Sequence, residues 1–362
     1  MRFAKLLCPV TLTCGVIVAA GMVAFVSADP PAYAASCANR HALGTSRTLV
    51  IDPTEHVRLG SMQYRETLPL APREVVLTFD DGPLPPYSTR ILDVLAAECV
   101  KATYFLVGRM AKNFPHVVAR IAAEGHTIGT HSQTHPFTFH RMTVAHARHE
   151  VEGGIASVSA ALGGRAPAPF FRIPGLLRAS PVESYLASRN LMAWSADIPS
   201  DDWRRINDKE IVRRTLARLD AQGKGMVLMH DIKPGTALAL PTLLRELKAR
   251  GYRIVHVVPA SRYRTKTATA ASQWRVRSAY HEPRVAAKRA GRMAKARGRS
   301  RASTRTLASR NAMLKRRPAA GQRATARVAV IMEENDSDAV KSFQESSKFF
   351  SGLLGLPRQI LH

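Results

Sequence analysis

The feature that most constrains this chain is a repeated alternation of short apolar segments with longer amphipathic segments between residues 74 and 258. The first short segment, 75–79, is apolar and β-branched, which is typical of a strand buried on both faces. The long segment 89–98 carries its apolar residues at helical spacing. This alternation predicts an α/β fold with a parallel sheet and helices outside it, and the number of repeats favours a barrel over an open sheet.

Seven strands and five helices are predicted from these patterns. The strands are 75–79, 102–107, 126–130, 170–172, 190–196, 226–229 and 253–258, and the helices are 89–98, 115–124, 143–162, 208–221 and 238–250. We therefore expect one α/β domain over 74–260. Residues 35–73, which contain three prolines, are predicted to form a loosely structured arm.

The first 34 residues are typical of an export signal. Arg2 and Lys5 precede an apolar run over 6–26, and the small-residue pattern Ala32-Tyr33-Ala34 follows as a cleavage site. We therefore expect a periplasmic, envelope-associated or extracellular protein. The alternative is an uncleaved N-terminal anchor, because about 20 apolar residues can span a bilayer.

Four cysteines occur in the chain, and two of them, Cys8 and Cys14, lie inside this signal. Cys37 and Cys99 remain, and an exported protein meets an oxidising compartment. The prediction is a Cys37–Cys99 disulfide, and two independent thiols are the alternative.

Charge is concentrated in one segment of the chain. Residues 262–327 contain 20 Lys and Arg and one acid, a balance of +19 out of the +26 of the whole chain. With no apolar period, residues 261–362 are predicted to form a mostly disordered basic tail. Such a tail binds polyanions non-specifically. Because export argues against DNA, we expect no specific nucleic acid partner, and the alternatives are an anionic envelope polymer, a membrane surface or a solvated tail.

Five polar motifs follow predicted strands. They are TFDDGP at 78–83, HSQTHP at 131–136, FFRIPG at 170–175, DIPSDDW at 197–203 and MVLMHD at 226–231. In parallel α/β folds, active sites collect at the carboxyl ends of the strands. Taken singly, each motif also fits a structural role, such as a turn, a helix-capping loop or a buried histidine.

A metal site is the chemistry that the first two motifs indicate. His131 and His135 are four residues apart, which places them on one face of a helical turn. With Asp81 they form a set of two histidines and one carboxylate, and three protein ligands leave a position open for water, as catalytic zinc requires.

The order of the five motifs resembles the polysaccharide deacetylase family, whose members carry the NodB homology domain and deacetylate chitin, chito-oligosaccharides, peptidoglycan or xylan. The resemblance covers residues 74–258, about half of the chain. It implies a distorted (β/α) barrel of seven units and a metal-dependent hydrolase that removes N-acetyl groups from an acetylated glycan. The alternatives are an O-acetyl (xylan-type) esterase that uses the same residues and a non-catalytic carbohydrate-binding relative.

The resemblance also implies a role for each motif residue. Asp80 is the general base, held by Arg172, and His230 is the general acid, oriented by Asp202. The metal ligands are Asp81, His131 and His135; the backbone N–H of Gly175 stabilises the oxyanion; and Trp203 and Leu228 form apolar walls near the acetyl methyl group. Zinc suits this ligand set best, although cobalt, manganese or iron also occupy such sites.

Two departures from the family pattern affect these roles. Four residues rather than two separate Asp197 from Asp202, so Asp197 and Asp201 remain alternative partners of His230. Gly175 stands where the family often has a tyrosine, which removes an aromatic surface for the sugar.

Overall fold

The computed structural model describes Cys37 and residues 39–276. The strands in this range are β1 Thr45–Ile51, β2 Arg58–Leu59, β3 Glu74–Asp80, β4 Thr103–Leu106, β5 Thr127–Thr130, β6 Phe170–Arg172, β7 Met192–Trp194, β8 Ile198–Pro199, β9 Gly225–His230 and β10 Arg253–Pro259. The α-helices are α1 Tyr87–Ala97, α2 Gly108–Asn113, α3 Pro115–Ala123, α4 Val144–Ala161, α5 Ser180–Ser188, α6 Asp208–Gln222, α7 Pro234–Ala249 and α8 Ala271–Trp274.

The strands form a mostly closed parallel sheet. Neighbouring strands pair in parallel from β3 through β4, β5 and β6 to β7, and β9 pairs in parallel with both β3 and β8. Within residues 39–276, no strand pairing joins β7 to β8. The seven strands β3 to β9 therefore make a distorted barrel with one gap, and the predicted α/β barrel class is confirmed.

Strand β3 shows why the strands of this sheet have apolar residues at successive positions rather than at alternating ones. All seven of its residues are buried. Val75, Leu77 and Phe79 pack in the core that contains the helices, whereas Val76 packs in the core inside the barrel. Side chains alternate along a strand, so Thr78 and Asp80 share the inner face with Val76. The sequence thus places a carboxylate at the top of the barrel interior.

The predicted loose arm over 35–73 is wrong for much of its length. Strand β1 pairs in parallel with β10, and β2 pairs in parallel with β7. Leu49, Ile51 and Leu59 are at most 1% exposed. The sequence did not predict these strands because β2 has only two residues and no amphipathic helix separates it from β1.

The predicted boundary at residue 260 is also too early. The Trp274 side chain is 3% exposed and stacks on His56 with 3.4 Å between ring centroids. The backbone N–H of Thr67 donates to the carbonyl oxygen of Trp274 at 2.8 Å. The folded part of the chain therefore extends at least to Trp274.

Two predictions fall wholly or partly outside the described residues. The export signal at 1–34 and the tail beyond residue 276 both lie there, so they stay predictions. Among the residues that the structure describes, no helix is long and apolar enough to cross a membrane. Cys37 and Cys99 are each disulfide-bonded, and their pairing with each other stays a prediction.

Candidate active site

The motif residues gather at the carboxyl ends of β3, β5, β6 and β9. Asp80 ends β3 and His230 ends β9, and the two residues are direct partners across this strand pair. Arg172 ends β6, and His131 directly follows β5. Because these strands are parallel and belong to one barrel, the four motifs that they carry meet at one edge, although they are far apart in sequence.

A candidate metal centre is formed by Asp81, His131 and His135. The Nε2 atoms of His131 and His135 lie 3.4 Å and 3.2 Å from Asp81 Oδ1. Among the described residues, these three side chains form a group whose ligand atoms all lie within 4.8 Å of one another. The predicted ligand set is therefore brought together in space.

The backbone that carries the two histidines differs from the predicted helical turn. Ser132 and His135 have φ angles of 65° and 61°, so the segment is a bend with two residues in the left-handed region rather than a helical turn. Ser132 Oγ accepts the backbone N–H of His135 at 3.0 Å, and Pro136 disfavours helical geometry at His135. The Glu150 carboxylate accepts the backbone N–H groups of residues 133 and 134 at 3.0 Å and 2.8 Å. The turn is thus fixed by polar contacts rather than by helix formation.

The chemistry of these side chains fits a metal ion. The carbonyl oxygen of Arg172 lies 2.6 Å from His131 Nδ1, so Nδ1 is the donor and Nε2 is left for a ligand role. Asp81 Oδ1 is buried and, within the described residues, has no hydrogen-bond partner of good geometry. Burial lowers the pKa of His135 to about 3 despite the opposing charge of Asp81. A neutral imidazole, which metal binding needs, is therefore favoured.

The Asp80 carboxylate is held by a buried arginine. Arg172 is fully buried, and its Nη1 donates to Asp80 Oδ1 at 2.6 Å and to Thr78 Oγ1 at 2.9 Å. Its guanidinium also lies 4.2 Å from the centroid of the Phe105 ring. The other carboxylate oxygen, Asp80 Oδ2, lies 3.8 Å from His131 Nε2. One oxygen is thus fixed and the other faces the candidate metal centre.

The His230 ring is held by Asp202. Asp202 Oδ1 lies 2.7 Å from His230 Nδ1, and Asp202 Oδ2 accepts the His230 backbone N–H at 2.7 Å. Thr236 Oγ1 donates to the same Oδ2 at 2.5 Å. Burial lowers the pKa of His230, but the charges of Asp202 and Asp81 outweigh burial and raise the pKa to about 9. The imidazole is therefore a cation at neutral pH, with Nε2–H available to donate.

The two other candidate partners of His230 have structural contacts instead. The Asp197 carboxylate accepts hydrogen bonds from the backbone N–H groups of Ser61 and Met226. Asp201 pairs with Arg214 and Arg218, on α6, at 2.8 Å and 2.7 Å. Asp197 therefore attaches the N-terminal segment to β9, and Asp201 attaches its loop to α6, which leaves Asp202 with His230.

The residues predicted to contact the acetyl group are Trp203, Leu228 and Gly175, and Trp203 contacts His230 directly. The Trp203 ring meets the His230 ring edge-on, with 5.8 Å between centroids. Leu228 is 5% exposed and lies on the same face of β9 as His230. Gly175 has φ 59°, and a Cβ added there would lie 3.6 Å from the Phe137 ring. An aromatic ring therefore lies beside Gly175, although none is attached at position 175.

Sequence reasoning missed the supporting residues around these motifs. Glu150 lies on α4 and is distant in sequence from the turn whose backbone N–H groups its carboxylate accepts. Asp231 directly follows His230, yet its carboxylate is fully buried and accepts the Ser88 hydroxyl at 2.5 Å. Burial raises the pKa of Asp231 to about 7. The signal for Asp231 was its place at the end of an apolar strand, whereas nothing local could have marked Glu150.

Chemically, the site combines a fixed carboxylate, a cationic imidazole and a metal-type cluster. Asp80 can accept a proton, and His230 can donate one. The Gly175 N–H belongs to the motif that follows β6, at the same edge of the barrel. Such a site suits hydrolysis of an acyl group with a poor leaving group.

Comparison with known proteins agrees with this description. The model of the polysaccharide deacetylase family matches residues 68–194. Two peptidoglycan-N-acetylglucosamine deacetylases of Bacillus cereus are 34% and 33% identical to this chain, over 49% and 53% of its length. These matches span 66% and 70% of the lengths of the two relatives. A chitooligosaccharide deacetylase of Rhizobium leguminosarum is 33% identical, over 50% of this chain and 89% of the relative.

Comparison with solved structures finds a protein of the same kind. A peptidoglycan deacetylase of Bdellovibrio bacteriovorus matches with a TM-score of 0.55 and 33% identity, and the match covers 62% of each chain. The chain thus spans slightly under two thirds of that protein and of the first Bacillus cereus relative.

Proposed function

This chain belongs to the polysaccharide deacetylase family, and from that premise we propose that it is a zinc-dependent hydrolase that removes N-acetyl groups from amino sugars in a glycan. The relatives are named for peptidoglycan N-acetylglucosamine and for chitooligosaccharides. The proposed substrate is accordingly an N-acetylated glycan of one of these two kinds.

The observation that carries the proposal is that two groups able to transfer protons, Asp80 and His230, lie beside the candidate metal centre. Asp80 and His230 are register partners on β3 and β9. Asp80 Oδ2 lies 3.8 Å from His131 Nε2. The charge of Asp81 contributes to the raised pKa of His230. A hydrolase of an unreactive amide needs this combination, because the attacking water must lose a proton and the leaving amine must gain one.

Asp80 is the proposed general base. Arg172 keeps Oδ1 occupied at 2.6 Å, so Oδ2 is the oxygen that takes the proton from water. Arg172 is itself fixed by the Ser195 carbonyl oxygen at 2.9 Å, so the direction of the base is set by the barrel rather than by solvent.

His230 is the proposed general acid. Its Nδ1 is committed to Asp202, so the proton comes from Nε2. An amine cannot leave as an anion, and protonation by His230 as the carbon–nitrogen bond breaks completes the reaction. The Gly175 backbone N–H would donate to the oxyanion that forms on the acetyl carbonyl.

Asp81, His131 and His135 are the residues that would hold the ion. Zinc held there would polarise the acetyl carbonyl and lower the pKa of the attacking water towards about 7. Two imidazoles and one carboxylate suit zinc best among the common ions.

Export is the setting proposed for this activity. The N-terminal 34 residues have the pattern of an export signal, and acetylated cell-envelope glycans lie outside the cytoplasm. The basic residues over 262–327 would retain the enzyme at an anionic envelope polymer or membrane surface.

Acetate release from defined glycans tests the proposal. The full chain is incubated with chito-oligosaccharides, peptidoglycan and acetylxylan, with and without a chelator. We expect release from one of the N-acetylated glycans that the chelator stops and zinc restores. Release from acetylxylan alone would replace the amidase with an O-acetyl esterase, and no release from a zinc-loaded protein would contradict a hydrolase of these glycans.

A further inference from the structure

The buried carboxylate of Asp231 has no step in the chemistry proposed above, yet it joins the two halves of the site. Asp231 is fully buried and directly follows His230 at the end of β9. Its backbone N–H donates to the Asp80 carbonyl oxygen at 3.3 Å. The residue therefore links the strand end that carries the proposed acid to the strand end that carries the proposed base.

The Asp231 side chain supports the turn that follows β3. Its Oδ2 accepts the Ser88 hydroxyl at 2.5 Å, and Ser88 Oγ in turn accepts the backbone N–H of Leu84 at 2.7 Å. The backbone N–H of Gly82 also interacts with the carboxylate. The carboxylate and the hydroxyl together hold the turn over residues 81–84 from the inside of the protein.

The surroundings of Gly82 show how close the backbone of the turn lies to the Asp231 carboxylate. A Cβ added at Gly82 would lie 2.1 Å from both carboxylate oxygens of Asp231. No side chain fits there, so backbone and carboxylate are in direct contact. The position of the Asp231 carboxylate and the position of the turn are therefore set together.

The turn needs this support because Asp81 has an unfavourable backbone conformation. Its φ of 77° is in the left-handed region, which is strained for a residue that carries a side chain. In this conformation Asp81 Oδ1 lies 3.4 Å and 3.2 Å from the two histidine Nε2 atoms. A relaxed turn would move the carboxylate away from the histidines.

We infer that Asp231 is a positioning residue whose buried carboxylate fixes the Asp81–Gly82 turn, and so holds the Asp81 ligand atom in place for the metal ion. This inference rests on the proposed function, because it takes Asp81 as a metal ligand. Among the described residues, the group that could hold the ion consists of Asp81, His131 and His135, and Asp231 is outside it.

The test measures metal affinity rather than rate alone. The full chain is stripped of metal and titrated with Zn²⁺ in competition with a chromogenic chelator. In Asp231→Asn, the amide NH₂ stands either against the Ser88 hydroxyl, whose donation to Oδ2 it replaces, or beside the backbone of Gly82 in place of Oδ1. In either orientation one of the contacts that support the turn is lost, so the turn loosens. We expect the Kd for Zn²⁺ to rise by about 10-fold or more, as is usual when a partner of a metal ligand is lost, with KM for the acetylated glycan unchanged.

Two further variants separate positioning from stability. Asp197→Asn alters another buried carboxylate, whose hydrogen-bond partners are Ser61, Thr67 and Met226 rather than the turn; it should lower the melting temperature and leave the Kd for Zn²⁺ unchanged. Ser88→Ala keeps Asp231 and removes its hydroxyl partner, and it should weaken Zn²⁺ binding less than Asp231→Asn does. If Asp231→Asn does not fold, Ser88→Ala decides the question.

Two outcomes would overturn the inference alone. In one, Zn²⁺ binds the Asp231 and Ser88 variants as tightly as the wild type; in the other, Asp197→Asn loses affinity to the same extent. A wild type that releases acetate in a zinc-dependent manner keeps the proposed function intact in both cases. A wild type that binds no Zn²⁺ would instead refute the metal-dependent function, and the inference with it.

Discussion

Two regions of the domain differ in what holds them and in what they are for. The catalytic edge, meaning the carboxyl ends of β3, β5, β6 and β9 with the loops that follow, is held by short polar contacts such as Arg172–Asp80 and Asp202–His230. The closing segments are residues 45–70 and 261–276. The first is held by parallel strand pairing, and both are held by buried apolar side chains such as Leu49 and Trp274. The side chains of the candidate active site and the segments that close the barrel therefore lie in separate parts of the chain.

That separation predicts opposite responses to substitution. Changes at the catalytic edge should alter metal binding, rate or pH dependence while the fold persists. Changes in the closing segments should lower the free energy of unfolding and leave the kinetics of the remaining folded protein unchanged. A catalytic-edge variant that only destabilises, or a closing-segment variant that changes kcat, would break the comparison.

The largest effect is expected from His131→Ala. This change removes one of three ligand side chains, so zinc binding and acetate release should both fall to background. Metal content by mass spectrometry and acetate release measure the two losses. His146→Ala, an exposed histidine in the first turn of α4, is the control that should keep both. Zinc still bound at one ion per chain in His131→Ala would remove His131 from the ligand set.

The next largest effect is expected from Asp80→Asn. The amide cannot accept a proton from water, so kcat should fall by about 10²–10⁴-fold, whereas bound zinc should stay at the wild-type level because Asp80 is not in the ligand group. Steady-state kinetics and metal analysis on the same sample make the comparison. Full activity in this variant would move the role of base to another residue.

A smaller effect, in pH dependence, is expected from Asp202→Asn. The negative charge of Asp202 raises the pKa of His230, which lies at about 9. The protonated acid is therefore present below this pKa and is lost as the pH rises through it. Without the carboxylate the pKa falls, so the alkaline limb of kcat/KM should move to lower pH by about 1–3 units.

The control for this pH profile is Asp201→Asn, whose partners are Arg214 and Arg218 rather than His230. Its alkaline limb should stay where the wild type has it. Equal limbs in the wild type and Asp202→Asn would mean that His230 is not the group that titrates.

The catalytic edge could be predicted from the sequence because its information is local. Each motif follows an apolar run, and parallel strands bring their carboxyl ends to one edge whatever the loops do. The backbone conformations and carboxylate partners at this edge, by contrast, are not determined by the local sequence. The left-handed conformations of Asp81, Ser132 and His135 depend on support from Glu150 and Asp231, which lie on other elements. Which of Asp197, Asp201 and Asp202 pairs with His230 likewise could not be read locally, because Asp197 and Asp201 bind partners on other segments.

The closing segments could not be predicted in the same way. Strand β2 has two residues, and α8 has four, so neither offers a periodic pattern. Their place is decided by partners more than a hundred residues away, such as β7 for β2 and Thr67 for Trp274. Only the packed structure contains that information.

The smallest effect on catalysis, and the clearest test of the closing segments, is expected from Trp274→Ala. The side chain is 3% exposed, packs in the core inside the barrel and stacks on His56. Removal of a buried tryptophan should lower the free energy of unfolding by about 3–5 kcal/mol. Trp274→Phe, which keeps a ring for the stack, should lose less. Denaturant titration measures both losses. The kcat per folded molecule should match the wild type, because the ring contact and hydrogen bonds of Trp274 are with His56, Thr67 and Thr269. If Trp274→Ala left stability unchanged, residues 261–276 would lie on the barrel without closing it.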